Sequence, residues 1–132
     1  MKFLLDTNIC IYALKQNRRV LDRLLAHSRA DVAVSVITEA ELRTGAAKSI
    51  SAARTLRLVE NFLRPLTIIE FVSDDAATYA GVRAKLERAK TPIGPLDTLI
   101  AAQAVTRKLV LVSNNEREFG RVARLRVENW AA

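Results

Sequence analysis

A single cysteine, Cys10, excludes an internal disulfide. Its apolar neighbours Ile9, Ile11 and Tyr12 suit a buried thiol in a reducing compartment. A single histidine, His27, stands at a helix end beside Ser28 and Arg29, which reads as a solvated terminal residue. It leaves neither a Ser-His-Asp triad nor an imidazole-based zinc site to build. Gly45, Gly81, Gly94 and Gly120 are too scattered for a GxGxxG turn or a Walker lysine loop. No run approaches the roughly 18 apolar residues of a membrane span. The start, Met1-Lys2-Phe3, meets Asp6 before the apolar core of a signal peptide can form. The expectation is a cytoplasmic protein with no membrane partner.

What remains is a chain of 132 residues, half of them apolar. That is one domain, 1–132, able to bury about two-thirds of its unfolded surface. Lys plus Arg outnumber Asp plus Glu by 21 to 14, giving +7. Arginine dominates, in Arg18-Arg19, Arg54, Arg57, Arg64 and a tail cluster of Arg117, Arg121, Arg124 and Arg126. Guanidinium forks match phosphate oxygens, so an acidic partner such as nucleic acid fits, as does a surface enriched in Arg for solubility.

The stretch KFLLDTN, Lys2 to Asn8, organises the rest. Phe3, Leu4 and Leu5 are too few for a helix and suit a buried strand that breaks off at Asp6. Asn8 to Lys15 and Val20 to His27 follow as short helices, the second with a stripe of Val20, Leu21, Leu24 and Leu25. DVAVS, Asp31 to Ser35, alternates as a second strand before a helix over Ile37 to Ala47. Ser51 to Leu63 is a helix stopped by Pro65, and Leu66 to Phe71 a third strand. Ser73 caps the next helix, with Asp74 and Asp75 favourable near its positive end and a stripe of Tyr79, Val82, Leu86 and Ala89. Pro92, Gly94 and Pro95 make a rigid turn with Pro95 at the first helical position. Lys108 to Ser113 is a fourth strand and Val127 to Trp130 a short fifth, with Trp130 as a core or interface anchor. Strands alternating with helices imply a parallel sheet covered on both faces.

Three acids stand in unusual context. Asp6 ends the first strand, where α/β sheets place ligands, and is equally a helix cap. Glu41 shares a stripe with Ile37, Ala40, Thr44 and Gly45 that should face the sheet, whereas Glu39 pairs with Arg43 four residues on. Asp97 lies in the first turn after the Pro95 turn, where the helix dipole either explains it outright or keeps it ionised as a metal ligand. Carboxylates gathered at one sheet edge repel unless a cation neutralises them. Oxygen-only ligands favour Mg²⁺ or Mn²⁺. Acids for a metal and a basic surface for phosphates read together as a nuclease. A receiver-like binding module would want an Asp ending a middle strand and a Lys ending a later one. Here the third strand ends at Phe71-Val72-Ser73, and Lys108 begins its strand. A dehalogenase-like phosphatase would want DxD, but Asn8 follows Asp6.

LLDTNICIYALK, SVITEAELRTGAAKS, PIGPLDTLIAA and LVSNNEREFGRVARLRVENW, in that order, resemble the successive blocks of the PIN-domain toxins called VapC. The resemblance covers nearly the whole chain. It implies a PIN-like α/β/α sandwich with a mostly parallel sheet of four to five strands. It also implies Mg²⁺- or Mn²⁺-dependent endoribonuclease activity, a VapB-type antitoxin and dimers within a toxin–antitoxin hetero-oligomer. By position, Asp6, Glu41 and Asp97 match the metal-binding acids, with Glu41 a ligand directly or through water. Thr7 and Asn8 match the DTN triplet. Ser113 and Asn115 match the T-x-D/N positions, where many relatives carry Asp, and Glu118 offers a further acid or a helix start. Leu96 and the neutral Asn115 depart from the pattern. Relatives with these blocks suggest initiator tRNA, cut in the anticodon stem-loop, as the substrate.

Overall fold

Three residues of β1, Phe3–Leu5, sit at the centre of a five-stranded sheet, and their shortness sets the sheet's dimensions. Asp6 already caps α1 (Thr7–Leu14), so β1 cannot lengthen, and its neighbours pair over the same three positions. The computed structural model describes residues 1–132. Beyond α1 the chain runs through α2 (Arg18–Leu25), a 3₁₀ turn (Arg29–Asp31), β2 (Val32–Ser35), α3 (Val36–Ala47), α4 (Ala52–Leu63) and β3 (Thr67–Ile69). It continues through α5 (Ser73–Arg88), α6 (Pro95–Arg107), β4 (Val110–Val112), α7 (Glu116–Phe119) and β5 (Arg126–Glu128). All strand pairs are parallel in the order β3-β2-β1-β4-β5. The third, fourth and fifth strands are therefore shorter than their apolar runs suggested, because ladder bonds stop where the partner strand stops.

Side chains alternate across the sheet, as the pleat requires. Phe3, Leu5, Val32, Val34 and Val112 join a core closed by residues of α1, α2, α3 and α4 together with Trp130. Leu4, Ala33, Ile69 and Leu111 face the opposite core with Leu86, Ile100, Ala101, Ala104 and Phe119. The sheet is thus buried on both faces, an α/β/α sandwich.

Strand order reverses at β1, since β2 and β3 extend one way and β4 and β5 the other. At such a switch the following helices diverge and leave a crevice at the carboxyl ends of β1 and β4. Asp6 and Ser113 stand there.

Several local expectations are corrected. The buried positions of α3 are Thr38, Leu42 and Ala46, while Ala40, Thr44 and Gly45 are exposed. Small side chains gain too little on burial to orient a helix, and Leu42 decides. On α2, Val20 and Leu24 are buried but Leu25 is 68% exposed. Ser73 is the first residue of α5 rather than its cap. The Val72 N–H donates instead to Asp75 at 2.9 Å. Asp75 is fully buried and bonded through both carboxylate oxygens to Arg107, so dipole compensation is only part of its role. Burial alone would raise the Asp75 carboxyl, but Arg107 and the Val72 N–H outweigh it and hold it below its ordinary value. Leu86 is the buried member of the α5 stripe, Tyr79 and Val82 are half-buried, and Ala89 faces solvent. His27 is not a solvated terminal residue. Its ring stacks on Trp130 at 5.2 Å and lies 4.5 Å from Phe3, closing the amino-terminal end of the sheet.

Candidate active site

Asp6 is 4% exposed at the end of β1. Its backbone N–H donates to the Val112 carbonyl at 3.0 Å, continuing the ladder one step past the strand. Its Oδ1 accepts the Ile9 N–H at 2.9 Å, so the capping role is real. The Ser113 side chain stands beside the same carboxylate and favours its charged form. Ser113 Oγ in turn accepts the Asn115 N–H at 2.9 Å. Burial still dominates and lifts the Asp6 carboxyl to about 6. Ser113 and the Ile9 N–H oppose the lift, and the nearby Asp97 and Glu41 add to it.

Glu41 is half-buried on α3. Thr7 Oγ1 donates to its Oε1 at 2.7 Å and lies 3.0 Å from the Thr38 hydroxyl. Thr38 was not among the residues singled out from sequence, yet it stands three residues before Glu41, a spacing that puts both on one helix face. Asn8, by contrast, is exposed, beyond the inward-facing Thr7.

Asp97 occupies the first turn of α6, behind Pro95 in the first helical positions. Its carboxylate lies against Gly94, where an added Cβ would meet Oδ2 at 3.8 Å. Burial, then Glu41, then Glu118 raise the Asp97 carboxyl above its ordinary value. Glu118 is therefore part of the electrostatic site as well as of α7, and its Oε2 accepts from Asn115 Nδ2 at 3.0 Å. Beside it, Asn114 Nδ2 donates to the Tyr12 hydroxyl at 2.9 Å, pinning the β4–α7 turn to α1.

The fold thus brings Asp6, Glu41, Asp97 and Glu118 into one field, with Thr7, Ser113 and Asn115 bonded to its members. No Lys or Arg offsets the charge at Asp6 or Asp97. No three His, Cys, Asp or Glu side chains form a ready-made metal cage. The donor set is nevertheless all oxygen, mutually repulsive and without a protein cation. That chemistry fits Mg²⁺ or Mn²⁺, since Mg²⁺ keeps several waters and takes only one or two carboxylates. Cys10, directly below, is fully buried, and burial with Asp6 beside it keeps its thiol protonated.

An α/β/α sheet with acids at its topological switch defines the class, and a family model described as PIN domain matches residues 3–125. The chain is 38% identical to the tRNA(fMet)-specific endonuclease VapC of Salmonella typhimurium and 42% identical to Ribonuclease VapC2 of Haemophilus influenzae, each over 98% of both chains. It superposes on the crystal structure of DNA-bound VapBC from Salmonella typhimurium with a TM-score of 0.94 at 39% identity, covering 98% of each chain. VapBC2 from Rickettsia felis bound to a promoter DNA fragment gives 0.93 at 35% identity, covering 98% of this chain and 99% of that one. The chain belongs to the VapC ribonucleases of the PIN-domain family. No helix is long and apolar enough to cross a membrane.

Proposed function

We propose that this chain is a divalent-metal-dependent endoribonuclease toxin that hydrolyses RNA phosphodiester bonds and is held in check by a VapB-type antitoxin. The observation that carries the mechanism is the gathering of buried Asp6 and half-buried Asp97 with Glu41 and Glu118 at the carboxyl edge of the sheet, where burial and acidic neighbours raise both aspartates and no cation of the protein relieves them. A divalent ion bound there would supply Lewis-acid activation of water and neutralise charge developing on the phosphodiester. Asp6 and Asp97 would hold it, with Glu41 a ligand directly or through water, and Thr7 fixes the Glu41 carboxylate. Ser113 keeps the Asp6 carboxylate oriented, and Asn115 holds both Ser113 and Glu118 in place. Such bonds behind the ligands set their geometry.

Water as nucleophile predicts products with 5′-phosphate and 3′-hydroxyl ends. The name of the Salmonella relative makes initiator tRNA the first substrate to test. Single-stranded loops suit such reading because their bases can be splayed out.

The antitoxin reading draws on the VapBC complexes among the structural relatives. It also draws on an apolar cleft of about 340 Å³ between α1, α3 and α4, lined by Ile11, Leu14, Leu42 and Leu58 and ending at Glu41. Leu58 is 51% exposed there. An amphipathic segment laid in that cleft would run towards the acids, where a basic side chain would compete with the ion. Two toxins with two antitoxins is the assembly we expect, in the cytoplasm.

The test is incubation of purified protein with total tRNA and Mg²⁺ or Mn²⁺, followed by mapping of the cut ends. Cleavage that needs the metal and vanishes in Asp97→Asn supports the reading. Ends bearing 2′,3′-cyclic phosphate would overturn the water mechanism. Induced expression should arrest growth with the native chain and not with Asp97→Asn.

A further inference from the structure

Between α5 and the loop joining α7 to β5 lies a small cleft of about 100 Å³. Its rim carries Lys85, Arg121 and Arg124, its floor includes Val82, Val105 and Val122, and no acid lines it. The ion pairs of the protein use Arg23, Arg43, Arg83 and Arg107, so none of these three cations is neutralised within the chain. Arg121 donates one Nη1 hydrogen to the Pro92 carbonyl at 3.2 Å, tying the rim to the turn that carries Asp97. It also follows Glu118 by three residues. Arg121 thus links one side of the unpaired positive cleft to the segment leading into α6 and to α7.

That juxtaposition answers an electrostatic need. A cluster of carboxylates repels an incoming phosphodiester chain, and a polyanion is drawn past it only if cations stand close by. Guanidinium forks and an ammonium over an apolar floor, free of competing acids, suit phosphate oxygens.

We infer that this cleft anchors the phosphate backbone of the RNA at nucleotides outside the bond that is cut, through Lys85, Arg121 and Arg124. The identity of the polyanion rests on the endoribonuclease reading above. The cleft therefore acts on the capture of long substrates and not on the chemical step.

The test measures binding of total tRNA in EDTA, where no hydrolysis occurs, over a range of salt concentrations. Arg121 is left in place because of its bond to Pro92, and Lys85→Gln is combined with Arg124→Gln. Gly81→Asp adds an acid to the rim, where a new Cβ meets nothing within 4 Å, and Gly81→Ala is its control. Losing two phosphate contacts should flatten the plot of log affinity against log salt by about 1.4 and weaken binding about tenfold near 0.1 M salt. Gly81→Asp should weaken binding and Gly81→Ala should not. With metal present, the double variant should raise KM for tRNA and leave turnover of a trinucleotide unchanged. An unchanged slope, or equal losses on long and short substrates, overturns the inference. So does loss of polyglutamate binding with tRNA binding intact, which would make the occupant an acidic protein segment. Native protein that binds tRNA through this cleft but never cuts it would sustain the anchor and defeat the nuclease reading.

Discussion

Thr7 donates its hydroxyl hydrogen to Glu41 across 34 positions of sequence, at 2.7 Å, and so joins the first turn of α1 to the one acid of the site carried on α3. The bond holds Glu41 without neutralising it. Thr7→Val, nearly isosteric, should free that carboxylate and lower cleavage about 10- to 100-fold, in the range typical for groups that orient metal ligands. Thr7→Ser should keep most of the activity. Initial rates titrated against Mn²⁺ would show the loss as a half-saturating Mn²⁺ concentration raised in Thr7→Val.

Asp6 makes stability depend on pH in an unusual direction. Its carboxyl titrates near 6 in the fold against an ordinary 3.8. As pH rises, the unfolded chain gives up this proton first, so the fold is favoured below about pH 4 and loses that advantage between pH 4 and 6. The shift corresponds to roughly 3 kcal/mol as an upper bound at neutral pH. Asp6→Asn keeps a competent helix cap and removes the charge. Without metal at pH 7.5 the variant should be more stable than the native chain by about 1–3 kcal/mol, a difference that disappears near pH 4. Added Mn²⁺ should raise the melting temperature of the native chain only. Urea titrations at the two pH values settle the sign.

Arg107 and Asp75 test a different kind of buried charge. Asp75 has no exposure, and the Arg107 side chain retains 22%. Arg107→Met strands a carboxylate in the interior and should destabilise the protein by about 3–5 kcal/mol. Pairing it with Asp75→Asn should recover most of that loss, measured by chemical denaturation. The two residues lie at the far end of α6 from Asp97, so specific activity of the folded fraction should not change.

Trp130 closes the amino-terminal end of the sheet. It meets Phe3 edge-on at 5.2 Å and stacks on His27, with the Arg23 guanidinium 5.7 Å over the ring. Its Nε1 donates to Glu128 at 3.1 Å. Trp130→Ala should cost about 3–5 kcal/mol by leaving a cavity under β1. Trp130→Phe should cost less. Because it is the only tryptophan, its emission reports directly on docking of the carboxyl-terminal segment during thermal unfolding.

By itself the sequence determined the order of strands and helices, the Asp6 cap, the Pro95 turn that sets Asp97 in the first turn of α6, and the Glu39–Arg43 pair. These depend on backbone hydrogen bonds and side chains within four residues of one another, so a linear pattern contains them. Only the tertiary structure decided how long each strand is, since a ladder needs its partner, and where His27, Asp75 and Trp130 lie. It alone decided that burial, Glu41 and Glu118 raise the Asp97 carboxyl. Ionisation is a sum over every charge and every removed water around a group, and those neighbours, Glu41 and Glu118, stand 77 residues apart in the sequence. No window along the chain holds that sum.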